Sequence, residues 1–483
     1  MTVPVTDKEP GRIAALLKRI SGDREGIPTS LADLRGSETA KAAGLAGAMI
    51  ANNVIALIST VVFARLLSDY GSLAALVSYF LILSVVGQAL QVATAREGVL
   101  GHLGVGAGLT ATVRRWTVHL MMLTAGITVV SILLRAPIAS AVGVQNDQWA
   151  AAIGLPAGML WLEISILRGV LQGVGDYNGV GVSLVGEQAA RLVSGAALAA
   201  AGLGVTGAYL GTPISFLAVG VFCLLRLRRH VETQGEAPLG VVDTAPPALS
   251  LWTHVKRAWA PIAGLIVIAV LQNIDIIAAK HRFTRDLASS YGATAVAAKV
   301  LVWVAIGAGF YLVPEVSRRR ALGEDTRPIL FRALGIILVC AVPVLLIFGV
   351  EPKLLLKLAF GAKRDTASGS LLVLGVAFTV LACTYLAIQY LLALRRTWFL
   401  IAVGAVAVAE PILLLNASRR ATGFATVVLG IQAVGALLAF GLAFRAGRAP
   451  PPGAQHGHAP TTGRDLDATP EHKPEAAVAP EPV

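Results

Sequence analysis

The sequence predicts an all-α polytopic membrane protein, with about twelve transmembrane helices arranged as two pseudo-symmetric six-helix lobes. Three observations carry this. Of 483 residues, 55% are hydrophobic and only 14% are charged, where a soluble domain carries about 25% charge. The apolar residues fall in blocks of about 20, the length a helix needs to cross about 30 Å of hydrocarbon at about 1.5 Å per residue. The second half of the chain also repeats turns found in the first.

A soluble core cannot hide this much apolar surface, so the apolar residues face lipid. The mean hydropathy of +0.72 agrees. No long stretch alternates with period two, as barrel strands would. The 50 glycines suit close packing of membrane helices. Cys223, Cys340 and Cys383 lie inside apolar blocks and read as small buried hydrophobes. No Cys/His spacing suggests a metal. The net charge of +12 is mostly loop Lys and Arg at a membrane surface, which topology explains better than nucleic acid does.

Residues 1–42 are expected to be a cytoplasmic segment, with a short amphipathic stretch from Ile13 to Ile20 that suits a membrane surface. Spans are expected at about 43–64, 72–93, 116–135, 149–170, 180–201 and 205–226, which make an N-lobe over 43–226. A polar segment rich in Pro, Gly and charge, 227–257, reads as a cytoplasmic linker. Six more spans, at about 258–279, 292–314, 329–350, 368–392, 397–416 and 422–444, make a C-lobe over 258–445. The tail, 446–483, is expected to be disordered. Lys and Arg gather on one side, in the termini and in loops bearing Arg96, Arg114, Arg115, Arg168, Arg226 to Arg257, Arg318, Arg319, Arg320, Arg327, Arg395 and Arg396. The other side, with Arg65, Arg135, Lys280, Arg282, Arg285, Lys353, Lys357, Lys363, Arg364, Arg419 and Arg420, is poorer. That bias puts both termini in the cytoplasm.

The repeat is local but placed at equivalent points. After span one the chain reads Arg65-Leu66-Leu67-Ser68-Asp69-Tyr70-Gly71; after span seven it reads Asp286-Leu287-Ala288-Ser289-Ser290-Tyr291-Gly292. Leu, Ser, Tyr and Gly recur in register, and the same offset sets Asn52 opposite Asn273. Duplication of a six-helix unit keeps both copies in one orientation, related by an axis along the membrane normal.

These residues, with Gln172-Gly173-Val174-Gly175-Asp176-Tyr177, Asn273-Ile274-Asp275, Pro314-Glu315-Val316-Ser317, and Phe360-Gly361 followed by Leu391-Leu392-Ala393-Leu394, carry a resemblance. The chain resembles the polysaccharide-biosynthesis transporters (oligosaccharide and lipopolysaccharide flippases) of the multidrug/oligosaccharidyl-lipid/polysaccharide (MOP) superfamily, over about residues 40–445. The resemblance implies a V-shaped pair of lobes in the bacterial plasma membrane that moves a polyprenyl-pyrophosphate-linked glycan outward. It also implies membrane lipids around the protein and polymerase or glycosyltransferase partners. A lipid II flippase or a cation-coupled multidrug exporter of the same superfamily is the alternative; lipid II flippases resemble a variant with more helices. A membrane scaffold for a polysaccharide polymerase is the non-transport alternative.

Ionisable residues inside a membrane cost several kcal/mol each unless they face a cavity or a partner, so each is a site candidate. Glu187 and Arg191 are four apart in the middle of span five and pair on one face. The pair either glues helices or holds an Arg ready for an anionic head group. Asp275 and Lys299 lie at similar depths in spans seven and eight, which allows an ion pair or a coupling role for Asp275 toward Na+ or a proton. Arg fits phosphate because its fork reaches two oxygens. The candidate substrate-binding residues are therefore Arg65, Arg168, Glu187, Arg191 and Lys299, with Asn52, Asn53, Gln272 and Asn273 as polar neighbours. Glu410 precedes Pro411 and reads as the mark of a bend. No GxxxxGK[ST], GxSxG or metal cluster is present, so no cofactor and no enzyme activity are expected.

Overall fold

The computed structural model describes residues 38–104, 106–233, 256, 259–394 and 396–446. The stretch from Ile13 to Ile20, most of the linker and the tail lie outside the described residues. The first half runs α1 (Glu38–Leu66), α2 (Tyr70–Val99), α3 (Ala107–Leu133), α4 (Arg135–Val142), α5 (Gln148–Gly173), α6 (Tyr177–Leu198) and α7 (Gly204–Thr233). The second runs α8 (Trp259–Arg282), α9 (Arg285–Ala298), α10 (Val300–Ala321), α11 (Arg327–Val350), α12 (Pro352–Phe360), α13 (Leu371–Ala393), α14 (Phe399–Leu415) and α15 (Ala421–Ala446). The described residues contain no strand.

Ten helical stretches are long and apolar enough to cross a membrane. One, Tyr177–Glu232, is α6 and α7 run together across Gly202, whose φ of 98° breaks the helix. Phe399–Leu415 is apolar but, at 17 residues, shorter. Twelve crossings result, six in each half, with α9 and α10 together making one. The two short helices, α4 and α12, sit between the third and fourth crossing of each half. The repeat therefore extends to a pair of elements that sequence reading passed over.

Two expected boundaries shift. Helix α3 starts at Ala107, so Arg114 and Arg115 ride on its first turns rather than in a loop. Helix α7 continues to Thr233, into the segment read as linker. The eighth crossing is also broken: α9 and α10 meet at Lys299. Pro156, Pro213, Pro343 and Pro411 all fall inside continuous helices.

Acidic caps fix two helix starts. Asp69 accepts from the Ser72 N–H at 3.0 Å and opens α2. Asp176 does the same for α6 through the Gly179 N–H at 3.0 Å, and its Oδ2 takes Arg226 Nε of α7 at 2.7 Å. Burial acts to raise the Asp176 carboxyl, but the Arg226 bonds and the Gly179 N–H outweigh it and hold it below the ordinary carboxylate value. Asp176→Ala is expected to cost about 1–2 kcal/mol, mostly through the lost cap. The carboxyl is depressed in the fold, so its contribution is complete above the ordinary value of 3.8. It is lost as pH falls through the lower folded value. Thermal melts of wild type and variant across that pH range check this: the two curves converge at the acid end.

The lobes meet at one end. Helix α2 packs on α8 and α9 of the other half, and α1 packs on α12. From Tyr70 to Leu76 every residue of α2 is buried; further along, Leu81, Gln88, Val92 and Arg96 leave one face uncovered. In the other half, Ala288 to Ala295 of α9 is an unbroken buried run, while Trp259, Pro261 and Ile266 near the start of α8 are exposed. Burial all round at one end, and on one side only beyond it, describes two bundles in contact at the Asp69 end and uncovered toward the Arg96 end.

Candidate functional site

At the closed end the two copies of the repeat lie against each other. The Gly71 N–H donates to Ser289 Oγ at 2.9 Å. A Cβ on Gly71 would stand 3.0 Å from the Ser289 nitrogen, and one on Gly292 would stand 3.0 Å from Ala74 Cβ. The Tyr-Gly pairs of the repeat, expected as turns, lie instead within α2 and α9 and form the crossing point of the lobes, where the missing side chains let the two helices approach.

Charge fastens the same end. Asp69 accepts Lys280 Nζ at 2.9 and 3.0 Å and pairs with Arg285 Nε at 3.3 Å. Burial works to raise the Asp69 carboxyl, but Lys280 and the Ser72 N–H hold it low. Arg364, buried, donates to the carbonyls of Ala64 and Leu67 at the end of α1, at 3.1 and 2.6 Å. Arg65 reaches the other way, to the Leu358 and Ala359 carbonyls of α12 at 2.5 and 3.2 Å. Each Arg satisfies carbonyls that a helix end leaves open. A polar pocket of about 590 Å³ lies over this closure, lined by Asp69, Ser72, Asn146, Asp147, Lys280 and Arg285 among others.

Inside the N-lobe, one carboxylate serves two guanidiniums. Glu187 Oε1 accepts Arg191 Nη2 at 2.5 Å, and Oε2 accepts Arg168 Nη2 at 2.9 Å. Arg168, on α5, is wholly buried and also donates to Ser183 Oγ at 2.8 Å and to the Ser183 carbonyl at 2.9 Å. Arg191 is the outermost of the three: its side chain is 19% exposed, against 0% for Arg168 and 3% for Glu187. Three packed rings back the cluster. Arg168 lies 5.6 Å from the Trp161 ring, and Arg191 lies 5.8 Å from Phe80 and 5.3 Å from Phe216. Two guanidiniums on one carboxylate leave a net positive charge. Arg168 Nη1 and Arg191 Nε are buried donors with no acceptor among the described residues.

Inside the C-lobe the imbalance is reversed. Asp275, wholly buried, accepts Lys299 Nζ at 3.2 Å and the Tyr291 hydroxyl at 3.2 Å. Lys299 stands where α9 breaks from α10, with its ammonium 5.1 Å from the Phe378 ring. Glu410 is wholly buried as well, so its carboxyl is more than the mark of a bend at Pro411. Its Oε1 accepts Gln432 Nε2 at 3.2 Å, and the same Nε2 donates to the Leu271 carbonyl at 2.9 Å. Glu410 Oε2 and Gln432 Oε1 are left as buried acceptors with no donor among the described residues. A proton on the carboxyl, a cation or a water satisfies such oxygens.

The structure thus brings Arg168, Glu187 and Arg191 together in one lobe, and Asp275 and Lys299 in the other. Arg65 stands apart from both, at the closure. Asn273 is buried and donates to the Ala269 carbonyl of its own helix at 2.9 Å. Gln272 and Asn52 are half-buried, and Asn53 is exposed. Glu163, a further acid within the apolar run of α5, is buried and forms no ion pair among the described residues. Among the described residues no group of His, Cys, Asp or Glu has the form of a metal site. Glu410, Tyr291 and Arg364 carry other readings in the sequence (a bend, a repeat, a loop charge), and Gln432 and Ser183 carry none. The polar residues inside apolar blocks (Glu410, Gln432) carried a signal; the others needed the fold.

No family model and no curated protein matches the chain. Solved structures do. An inward-facing multidrug-resistance MATE family transporter of the MOP superfamily superposes with a TM-score of 0.58 at 14% identity, over 82% of this chain and 95% of its own. The lipid II flippase MurJ, in an inward closed conformation, gives 0.61 at 13% identity, over 82% and 87%. A eukaryotic MATE transporter gives 0.58 at 14% identity, over 85% and 98%. At such identities the likeness is one of fold, and the fold it shows is the twelve-helix, two-lobe architecture of those MOP-superfamily transporters.

Proposed function

We propose that the chain is an alternating-access flippase that carries a polyprenyl-pyrophosphate-linked oligosaccharide across the bacterial plasma membrane for cell-surface polysaccharide synthesis. The observation that carries this reading is the N-lobe cluster. A lone buried ion pair would serve as glue, whereas two Arg on one Glu leave a cation in excess, backed by aromatic rings. An anionic head group supplies the missing acceptor, and Arg binds phosphate through two donors. The Lys/Arg bias puts the termini and the uncovered Arg96 end in the cytoplasm, so the Asp69 closure faces outward and the lobes part inward. Rocking of one lobe against the other then exchanges access, with the lipid tail left in the bilayer.

The C-lobe cluster suits the coupling ion. Asp275, with Glu410 and Gln432 beside it, offers acid and orphaned acceptors to Na+ or a proton, while Lys299 already holds one oxygen of Asp275. Glycosyltransferases and a polymerase are the partners such a carrier needs on its two sides.

Deleting the gene is expected to strand a lipid-linked sugar on the inner leaflet and remove the surface polymer; Arg191→Ala in the chromosomal copy is expected to do the same while the protein still inserts. Normal surface polymer in cells expressing stable Arg191→Ala protein would sink the cargo assignment. Stranded lipid II would mark a lipid II flippase, and drug sensitivity with unaltered glycans would mark an exporter.

A further inference from the structure

We infer that Arg168 is a positioning residue: by claiming one oxygen of Glu187 it keeps Arg191 under-neutralised, and Arg191 is the cation that meets the pyrophosphate. The inference rests on the function proposed above and assigns different roles to two Arg that the sequence grouped together.

Geometry separates the roles. Arg168 has no exposed surface, and its Nε and Nη2 are spent on Ser183 and Glu187, with the ring of Trp161 5.6 Å away. Cargo cannot reach it without taking α5 from α6. Arg191 keeps part of its side chain exposed and gives Glu187 a single hydrogen bond, leaving Nε without an acceptor. Were Glu187 its private partner, both carboxylate oxygens would be free to take the fork of Arg191 side-on, and the pair would be neutral. Ser183, which binds Arg168 through both its hydroxyl and its carbonyl, fixes the guanidinium so that only Oε1 of Glu187 is left for Arg191. Glu187 in turn holds Arg191 against the packed pair of Phe80 and Phe216, rings that tolerate a cation. The N-lobe site is built to bind one anionic group firmly enough to hold and weakly enough to release.

The test is binding of geranylgeranyl pyrophosphate to full-length protein in lipid nanodiscs, read by calorimetry, with a thermal melt of each variant. Wild type is expected to bind it, with affinity falling as salt rises. Arg168→Gln leaves a neutral Glu187–Arg191 pair, so it is expected to keep its melting temperature within a few degrees yet bind at least about tenfold more weakly. Glu187→Gln added to Arg168→Gln removes the acid that silenced Arg191 and is expected to restore affinity to within about threefold of wild type. Arg168→Lys, which keeps a charge on Glu187, is expected to retain most of the affinity. Arg191→Gln loses it, and Glu187→Gln does not rescue that loss. Wild-type binding with an unaffected Arg168→Gln variant, or a double variant as weak as Arg168→Gln alone, overturns the positioning role while leaving the cargo reading standing. Wild-type protein that ignores the probe overturns both.

Discussion

Asp69→Lys is expected to unfasten the closed end and to stop transport. Wild-type Asp69 is only 15% exposed and holds two cations of the other lobe, Lys280 and Arg285. The sheltered Lys280 bonds contribute about 1.5–3 kcal/mol, and the solvent-facing Arg285 pair adds about 1 kcal/mol or less. The substitution removes them and adds a third cation beside Lys280 and Arg285, with Arg364 close by. It also deletes the cap on α2. A change of 1.4 kcal/mol in the balance between closed and open moves populations about tenfold, so a shift of at least that size is expected. Ala74, 5% exposed and packed against Gly292, reports on the change. In a background lacking Cys223, Cys340 and Cys383, Ala74→Cys should resist an impermeant maleimide; in the Asp69→Lys variant it should react at least about tenfold faster. Equal labelling in the two backgrounds would show that Asp69 does not hold the closure. Gly292→Leu, which wedges the crossing sterically and leaves the charges alone, should give the same labelling gain.

Much of this arrangement was legible because membrane helices satisfy their own backbone, so length and hydropathy mark each crossing without tertiary information. The Tyr70-Gly71 and Tyr291-Gly292 repeat was visible as a spacing. That the two copies touch each other depends on the lobes closing at that end, which no local pattern encodes. The same division runs through the charges. Glu187 and Arg191 share a helix, and four residues of spacing suffice to bring them together. Arg168 reaches that carboxylate from another helix, through a Ser183 that looked ordinary. Arg65 stands among the phosphate-binding candidates in the sequence because an Arg fork reaches two oxygens. Its guanidinium instead meets the open carbonyls of α12, a helix too short to stand out from its apolar surroundings. Glu410 was masked by its neighbour: Pro411 offered a sufficient local reason for a polar residue there, and Gln432 lies on a different helix.

The two intramembrane clusters differ in what they lack. Among the described residues, donors without acceptors remain at Arg168 and Arg191 in one, and acceptors without donors at Glu410 and Gln432 in the other. Under the proposed function the two clusters are complementary in sign, one suited to an anionic cargo and the other to a coupling cation. Cargo and ion would then load different lobes, and the balance between closed and open states is where their binding energies would meet.

That division makes the Asp275–Lys299 pair the sharpest test of the C-lobe. Lys299→Ala leaves Asp275 as a wholly buried carboxylate with only the Tyr291 hydroxyl, and breaking a buried pair in this way costs about 3–5 kcal/mol. Asp275→Asn is expected to cost less, because the amide oxygen can still accept from the ammonium and the Phe378 ring still faces it. The double variant should be no less stable than Lys299→Ala alone, since neither charge remains to be stranded; losses that simply add would mean the two do not pair. Denaturation of the purified variants in detergent reads this directly. Function then separates glue from coupling. A pair that only holds α8 to the broken crossing is dispensable once both charges are gone, and the folded double variant would carry cargo with wild-type dependence on ion gradients. The expected result is the opposite: a folded double variant in proteoliposomes whose transport of a labelled polyprenyl pyrophosphate no longer responds to a Na+ or proton gradient, because the acid that exchanges the ion has been removed along with the lysine that steadied it.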